Sequence, residues 1–74
     1  MKTMEYCRRF IKGYVIMMQD DQGTVQVNQH EVANAYDLNS GHVSVILREL
    51  VNKGTLRKMS PHGYRKPAVY QVIA

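Results

Sequence analysis

Residues 28–54 read NQHEVANAYDLNSGHVSVILRELVNKG, two helical patterns with a short break between them. In the second pattern Val43, Ile46, Leu47, Leu50 and Val51 recur at three- and four-residue spacing and so form one apolar stripe. Asn39 or Ser40 offers the N-cap oxygen, the helix runs to about Lys53, and Gly54 stands where a glycine commonly closes a helix. In the first pattern Asn28 offers a cap oxygen and Glu31 follows three residues on, a spacing like that of a capping box. A helix from Gln29 to about Tyr36 follows, with Val32, Ala33 and Tyr36 inward, and Asp37, Leu38 and Asn39 make the turn. On a wheel of 100° per residue, Gly41, Ser44, Val45, Arg48 and Asn52 point away from the apolar stripe. That exposed face is small and polar with one strong positive charge, a shape that enters a groove without steric obstruction.

Upstream, Met4, Cys7, Phe10, Ile11, Tyr14, Val15 and Met18 share one helical face, which predicts a first helix over about 4–19. The polar run Gln19 to Gly23 ends it. Tyr6 and Met17 widen the apolar arc to about half the circumference, more than a thin core uses. Tyr6, Phe10 and Met17 are therefore the expected seam of a homodimer; extra core or ordinary exposed apolar surface is the alternative. Thr24 to Val27 alternates and is rich in β-branched residues, the pattern of a very short accessory strand.

Downstream of Gly54, Thr55 to Met59 and Ala68 to Ile73 read as the strands of a hairpin. Its long tip, Ser60 to Pro67, carries turn residues together with His62, Arg65 and Lys66. In the last strand Tyr70 and Val72 lie on one side and Val69 and Ile73 on the other, and either side is open to be the buried one.

The chain has 74 residues, 45% of them hydrophobic, and a net charge of +4. A second folding unit would need roughly 50 residues of its own, so residues 1–74 are expected to form a single domain. A domain of this size buries only about 60% of the surface its unfolded chain exposes, which leaves no room for a large substrate cavity. Cys7 is the only cysteine. It excludes an internal disulfide and a multi-cysteine zinc site, and it reads as a small buried apolar residue of a cytoplasmic protein. The longest apolar run, Tyr14 to Met18, is far short of a membrane span or a signal-peptide core. Met1 and a finished last strand make a whole gene product the expectation.

Charge is uneven. Residues 1–41 hold four Lys and Arg against five Asp and Glu, whereas residues 42–74 hold six against Glu49 alone. A positive half on a small domain points to a polyanionic partner. The three histidines, His30, His42 and His62, sit on separate expected elements with no cysteine or carboxylate at ligand spacing, so no metal is expected. There is no glycine-rich phosphate loop, nucleophile elbow or pair of carboxylates on one face beyond the adjacent Asp20 and Asp21. Neither an enzyme, a cofactor nor a small-molecule ligand is expected.

The element order, and the residues themselves, resemble a winged helix-turn-helix domain. His30-Glu31-Val32-Ala33, then Leu38-Asn39-Ser40-Gly41-His42-Val43-Ser44, then Leu47-Arg48-Glu49-Leu50-Val51-Asn52-Lys53-Gly54 is similar to the helix-turn-helix core of MarR-like and related winged-helix regulators. Arg65-Lys66-Pro67-Ala68-Val69-Tyr70-Gln71-Val72 is similar to the returning wing strand. The likeness covers residues 24–74, about two-thirds of the chain. Two positions depart from it: Asp37 stands where a glycine is common, and Thr55 replaces the usual apolar residue.

What the resemblance implies is an α+β, mainly helical fold: three helices, a short strand between the first two, the helix-turn-helix over about 28–53, and a two-stranded wing over about 55–73. It implies a small transcriptional regulator of bacterial, phage or plasmid type that binds double-stranded DNA sequence-specifically, in the cytoplasm and on the nucleoid. The third helix would enter the major groove through Ser40, Gly41, His42, Ser44, Val45 and Arg48. The wing would grip the backbone or minor groove through Arg57, Lys58, His62, Arg65 and Lys66. A recombination directionality factor of the excisionase kind falls within the same pattern. A protein-interaction module using the first helix is the competing class. Single-strand or RNA binding is disfavoured because only Tyr64 accompanies the basic tip residues.

Overall fold

The computed structural model describes residues 2–59 and 68–73. The Thr3 side chain accepts from the Tyr6 N–H at 3.1 Å and opens helix α1, Met4–Met18. Cys7, Ile11 and Val15 of its apolar face are fully buried, and burial pushes the Cys7 thiol pKa up. Met18, expected on that face, is instead 56% exposed. The helix ends there: Gln19 is extended, and the Asp20 carboxylate accepts from the N–H groups of Gln22 and Thr24, both at 2.9 Å. That Asx-type turn draws the chain out of the helix before Met18 has a neighbour to cover it.

Strand β1, Thr24–Val27, buries Val25 and Val27. Helix α2, Gln29–Tyr36, opens on the Asn28 side chain, which accepts from the N–H groups of His30 and Glu31 at 3.1 Å. Val32 and Ala33 are buried as the pattern requires, but Tyr36 is 46% exposed rather than inward. Its ring lies against α1, 4.6 Å from the ring of Phe10, so an aromatic partner holds it at the surface.

Asp37 closes α2 in the left-handed conformation, φ 57°. Its N–H and that of Leu38 both donate to the Ala33 carbonyl, and Leu38 is buried. This is the position where the resemblance noted in the sequence leads one to expect glycine. Asn39, not Ser40, then caps helix α3, Ser40–Asn52, accepting from Gly41 at 2.8 Å and His42 at 3.2 Å. The far end is a Schellman closure: Gly54, φ 81°, donates to Val51 and Thr55 to Leu50.

Strands β2, Leu56–Lys58, and β3, Ala68–Val72, pair antiparallel. Both are shorter than expected, yet the ladder is carried beyond them by Met59 donating to Val69 and Ile73 donating to Thr55. β3 also pairs with β1, giving one antiparallel sheet in the order β1-β3-β2. β1 is thus a full edge of the sheet, not an accessory to a separate two-stranded hairpin. Register matches Val25 with Tyr70, and Tyr70 is buried, so the Tyr70 side of β3 is the inner one.

Among the described residues this is a small, mainly helical α+β fold with three helices and three strands. Every buried residue among them is apolar, and all belong to one cluster with contributions from each element. Each fully buried aliphatic side chain contributes about 1.5–3 kcal/mol, so no element of so thin a core is dispensable.

Two substitutions test the turn between α2 and α3. Asp37→Gly relieves a left-handed aspartate and should raise stability by about 0.5–1 kcal/mol after the entropy of the added glycine is counted. Asn39→Ala removes the α3 cap and should lower it by about 1 kcal/mol. Urea denaturation of both variants measures the two shifts.

Candidate nucleic-acid interface

The outward face of α3 follows from its inward one. Val43, Ile46, Leu47 and Leu50 are buried, which leaves Gly41, Val45, Arg48 and Asn52 exposed on the opposite side, with Ser44 half-buried beside them. Gly41 sits in the cap itself: a Cβ there would meet the Asn39 side-chain oxygen at 3.0 Å. Its bareness keeps both the cap and the entrance to the face open. Ser40 and His42 are half-buried, and the Nδ1 atom of His42 is enclosed without a hydrogen-bond partner among the described residues. The outward row of α3 is therefore Gly41, Ser44, Val45, Arg48 and Asn52. An open cleft of about 230 Å³, lined by His30, Ala33, Asn34, Leu38, Asn39 and Ser40, lies at the N-terminal end of α3.

Electrostatics sharpen this face. Glu49 is the only acidic residue after position 41. It turns away from Arg48 toward α1, where Arg8 grips it with two bonds, Nε to Oε2 at 3.1 Å and Nη2 to Oε1 at 3.3 Å. Arg8 also bonds Glu5 at 3.0 Å. Hydrogen bonding to the guanidinium holds the Glu49 carboxyl below the usual carboxylate range and pushes Arg8 up. Among the described residues no carboxylate pairs with Arg48. The one negative charge of the basic half is thus engaged elsewhere. Arg8 and Glu49 were not candidates from sequence: 41 positions separate them, and no periodicity links them.

On β2 the two candidate cations part company. Arg57 is exposed on the outer face of the sheet, in register with Gln71, while Lys58 is in register with Tyr70 on the helix side and is exposed at the strand end. Strand alternation sends the two side chains off opposite sides of β2. His62, Arg65 and Lys66 lie outside the described residues. On α1, Tyr6 is 46% and Met17 77% exposed, whereas Phe10 is half-buried among Tyr6, Tyr14 and Tyr36. Among the described residues no three His, Cys, Asp or Glu side chains converge as a metal site, and no helix is long and apolar enough to cross a membrane.

Because the Glu49 carboxyl titrates below its unfolded value, its pairing supports the fold above pH 4.5 and is lost as pH falls through the lower folded value. Glu49→Gln should therefore lower the melting temperature at pH 7 and flatten its decline between pH 5 and the acid limit. Thermal denaturation across that range measures both effects.

Comparison with family models, curated proteins and solved structures finds no match to this chain.

Proposed function

We propose that this chain is a small winged helix-turn-helix protein that binds double-stranded DNA sequence-specifically and regulates transcription. In this reading α3 lies in the major groove and the basic connection between β2 and β3 acts as the wing on the backbone or in the minor groove. The observation that carries it is the outward row of α3: small and polar residues around a single arginine with no carboxylate partner among the described residues, while the only acid of the basic half is gripped by Arg8 on another helix. A helix bare enough to approach base edges, next to a field of one sign, is what groove entry needs.

The residues divide by task. Arg48 reads a guanine edge through two parallel hydrogen bonds, Ser44 donates to or accepts from an adjacent base, and Val45 packs on a thymine methyl. Gly41 and the α3 N-terminus let backbone N–H groups reach a phosphate. Arg57, Lys58, Arg65 and Lys66 neutralise phosphates, with Arg65 the candidate for a narrow minor groove. No catalytic step is part of this function, and no cofactor is needed for it.

Fluorescence anisotropy of a random duplex across a salt series tests the electrostatic half of the proposal. With about four phosphates neutralised, log affinity should fall against log salt with a slope near −3.6, and Arg65→Ala with Lys66→Ala should halve it. A slope near zero in the wild type contradicts the proposal. Once a preferred site is selected from random duplexes, Arg48→Ala should cost about 1–3 kcal/mol there and relax the preference at one base pair, leaving nonspecific binding nearly intact.

A further inference from the structure

The setting of α1 against α3 brings a cation from the acidic half of the chain to the edge of the outward row. Arg8 meets Glu49 in the last turn of α3, whereas Phe10 and Tyr14 meet Tyr36, which closes α2 just before the chain turns into α3. α1 thus runs antiparallel to α3, and each turn forward along α1 is a turn back along α3. With Arg8 opposite Glu49, the next turn sets Lys12 abreast of Val45. The same register sets Ile11 against Ile46, and both are fully buried. Val45 is 39% exposed and belongs to the outward row. Lys12 is exposed too, about 40° round the α1 wheel from Arg8 on the side away from the core.

Nothing neutralises Lys12 on its own helix. The positions one turn away are Arg8, Arg9, Val15 and Ile16. Glu5, the only acid within α1, is bonded to Arg8 at 3.0 Å and lies too far back along the helix. Across the seam, Glu49 is already held by Arg8. Among the described residues no carboxylate is within ion-pair distance of Lys12. Groove dimensions decide what such an ammonium meets. A helix with its side chains is about 10–12 Å across and the major groove about 12 Å wide, so a helix seated there has phosphates along both flanks. A second helix packed beside it at about 8–10 Å lies over one of those phosphate rows. Lys12 is the α1 cation that the register places at this edge.

We propose that Lys12 grips a backbone phosphate on the α1 side of the groove that α3 enters, which makes α1 part of the DNA interface as well as of the core. The inference rests on the reading of α3 as the groove helix. It adds about one phosphate to the about four assigned to β2 and its connection to β3.

Random-duplex anisotropy across a salt series, on the full chain, tests it. Lys12→Gln should weaken binding about fivefold at low salt, alike for every sequence, and make the slope shallower by about 0.9. It should melt with the wild type, and Lys12→Arg, which keeps the charge, should bind as the wild type does. Lys2→Gln removes the same charge from a side chain whose Nζ lies 5.1 Å from the centre of the Tyr6 ring, and it should leave the slope unchanged. A Lys12→Gln slope equal to the wild type's, or shifted no more than that of Lys2→Gln, overturns the inference while a steep wild-type slope leaves the proposed function standing. A wild type without salt-dependent binding overturns both.

Discussion

The buried stripe of α3 is the constraint from which the rest of the structure follows. Val43, Ile46, Leu47 and Leu50 must all leave water, and no single neighbour is broad enough to cover them. α1, α2 and β2 each pack against this helix, and β3 ties the strands into one sheet beneath the same cluster. With its inner side so committed, α3 can offer a partner only its outer row. Capping by Asn39 and closure by Gly54 fix where the helix begins and ends, and so fix which residues that row contains. Packing, rather than any active chemistry, selects Gly41, Ser44, Val45, Arg48 and Asn52.

The Arg8–Glu49 pair serves two ends at once. As a link between α1 and α3 it is half-exposed, and the shared guanidinium also reaches Glu5. Its larger consequence is electrostatic. Left unpaired next to Arg48 in sequence, Glu49 would oppose any polyanion approaching α3. Turned toward α1 and charge-compensated, it leaves the basic half with an almost uncontested field, which steers and strengthens association with phosphates. An acid retained on α3 is thereby reconciled with the function proposed for that helix.

Much of the fold was legible because its signals are local. The spacing of Val43, Ile46, Leu47 and Leu50, the cap oxygens of Asn28 and Asn39, and the glycine at position 54 each act within a few residues and each appears where the pattern puts it. Features decided by long-range contact were not legible. Tyr36 fits an inward helical position but finds its place against Phe10 at the surface, and Met18 falls on the core face of α1 yet outlasts the core. β1 looked isolated because its partner, β3, comes more than forty positions later. The inner side of β3 could not be chosen by alternation alone and was set by Val25 and Leu56 on either flank. At the candidate site, the helix row was readable from the wheel, the separation of Arg57 from Lys58 required the strand register, and the Arg8–Glu49 pair required the packing of α1 on α3.

The central claim is that the outer row of α3 meets DNA. Amide chemical shifts followed during titration with a short duplex test it most directly, because they report residue by residue and need no known operator. The account predicts that Gly41, Ser44, Val45, Arg48 and Arg57 move together and saturably, with shifts that shrink as salt is raised, while Tyr6 and Met17 on α1 stay unchanged. Shifts confined to α1, or none at low salt, would contradict it.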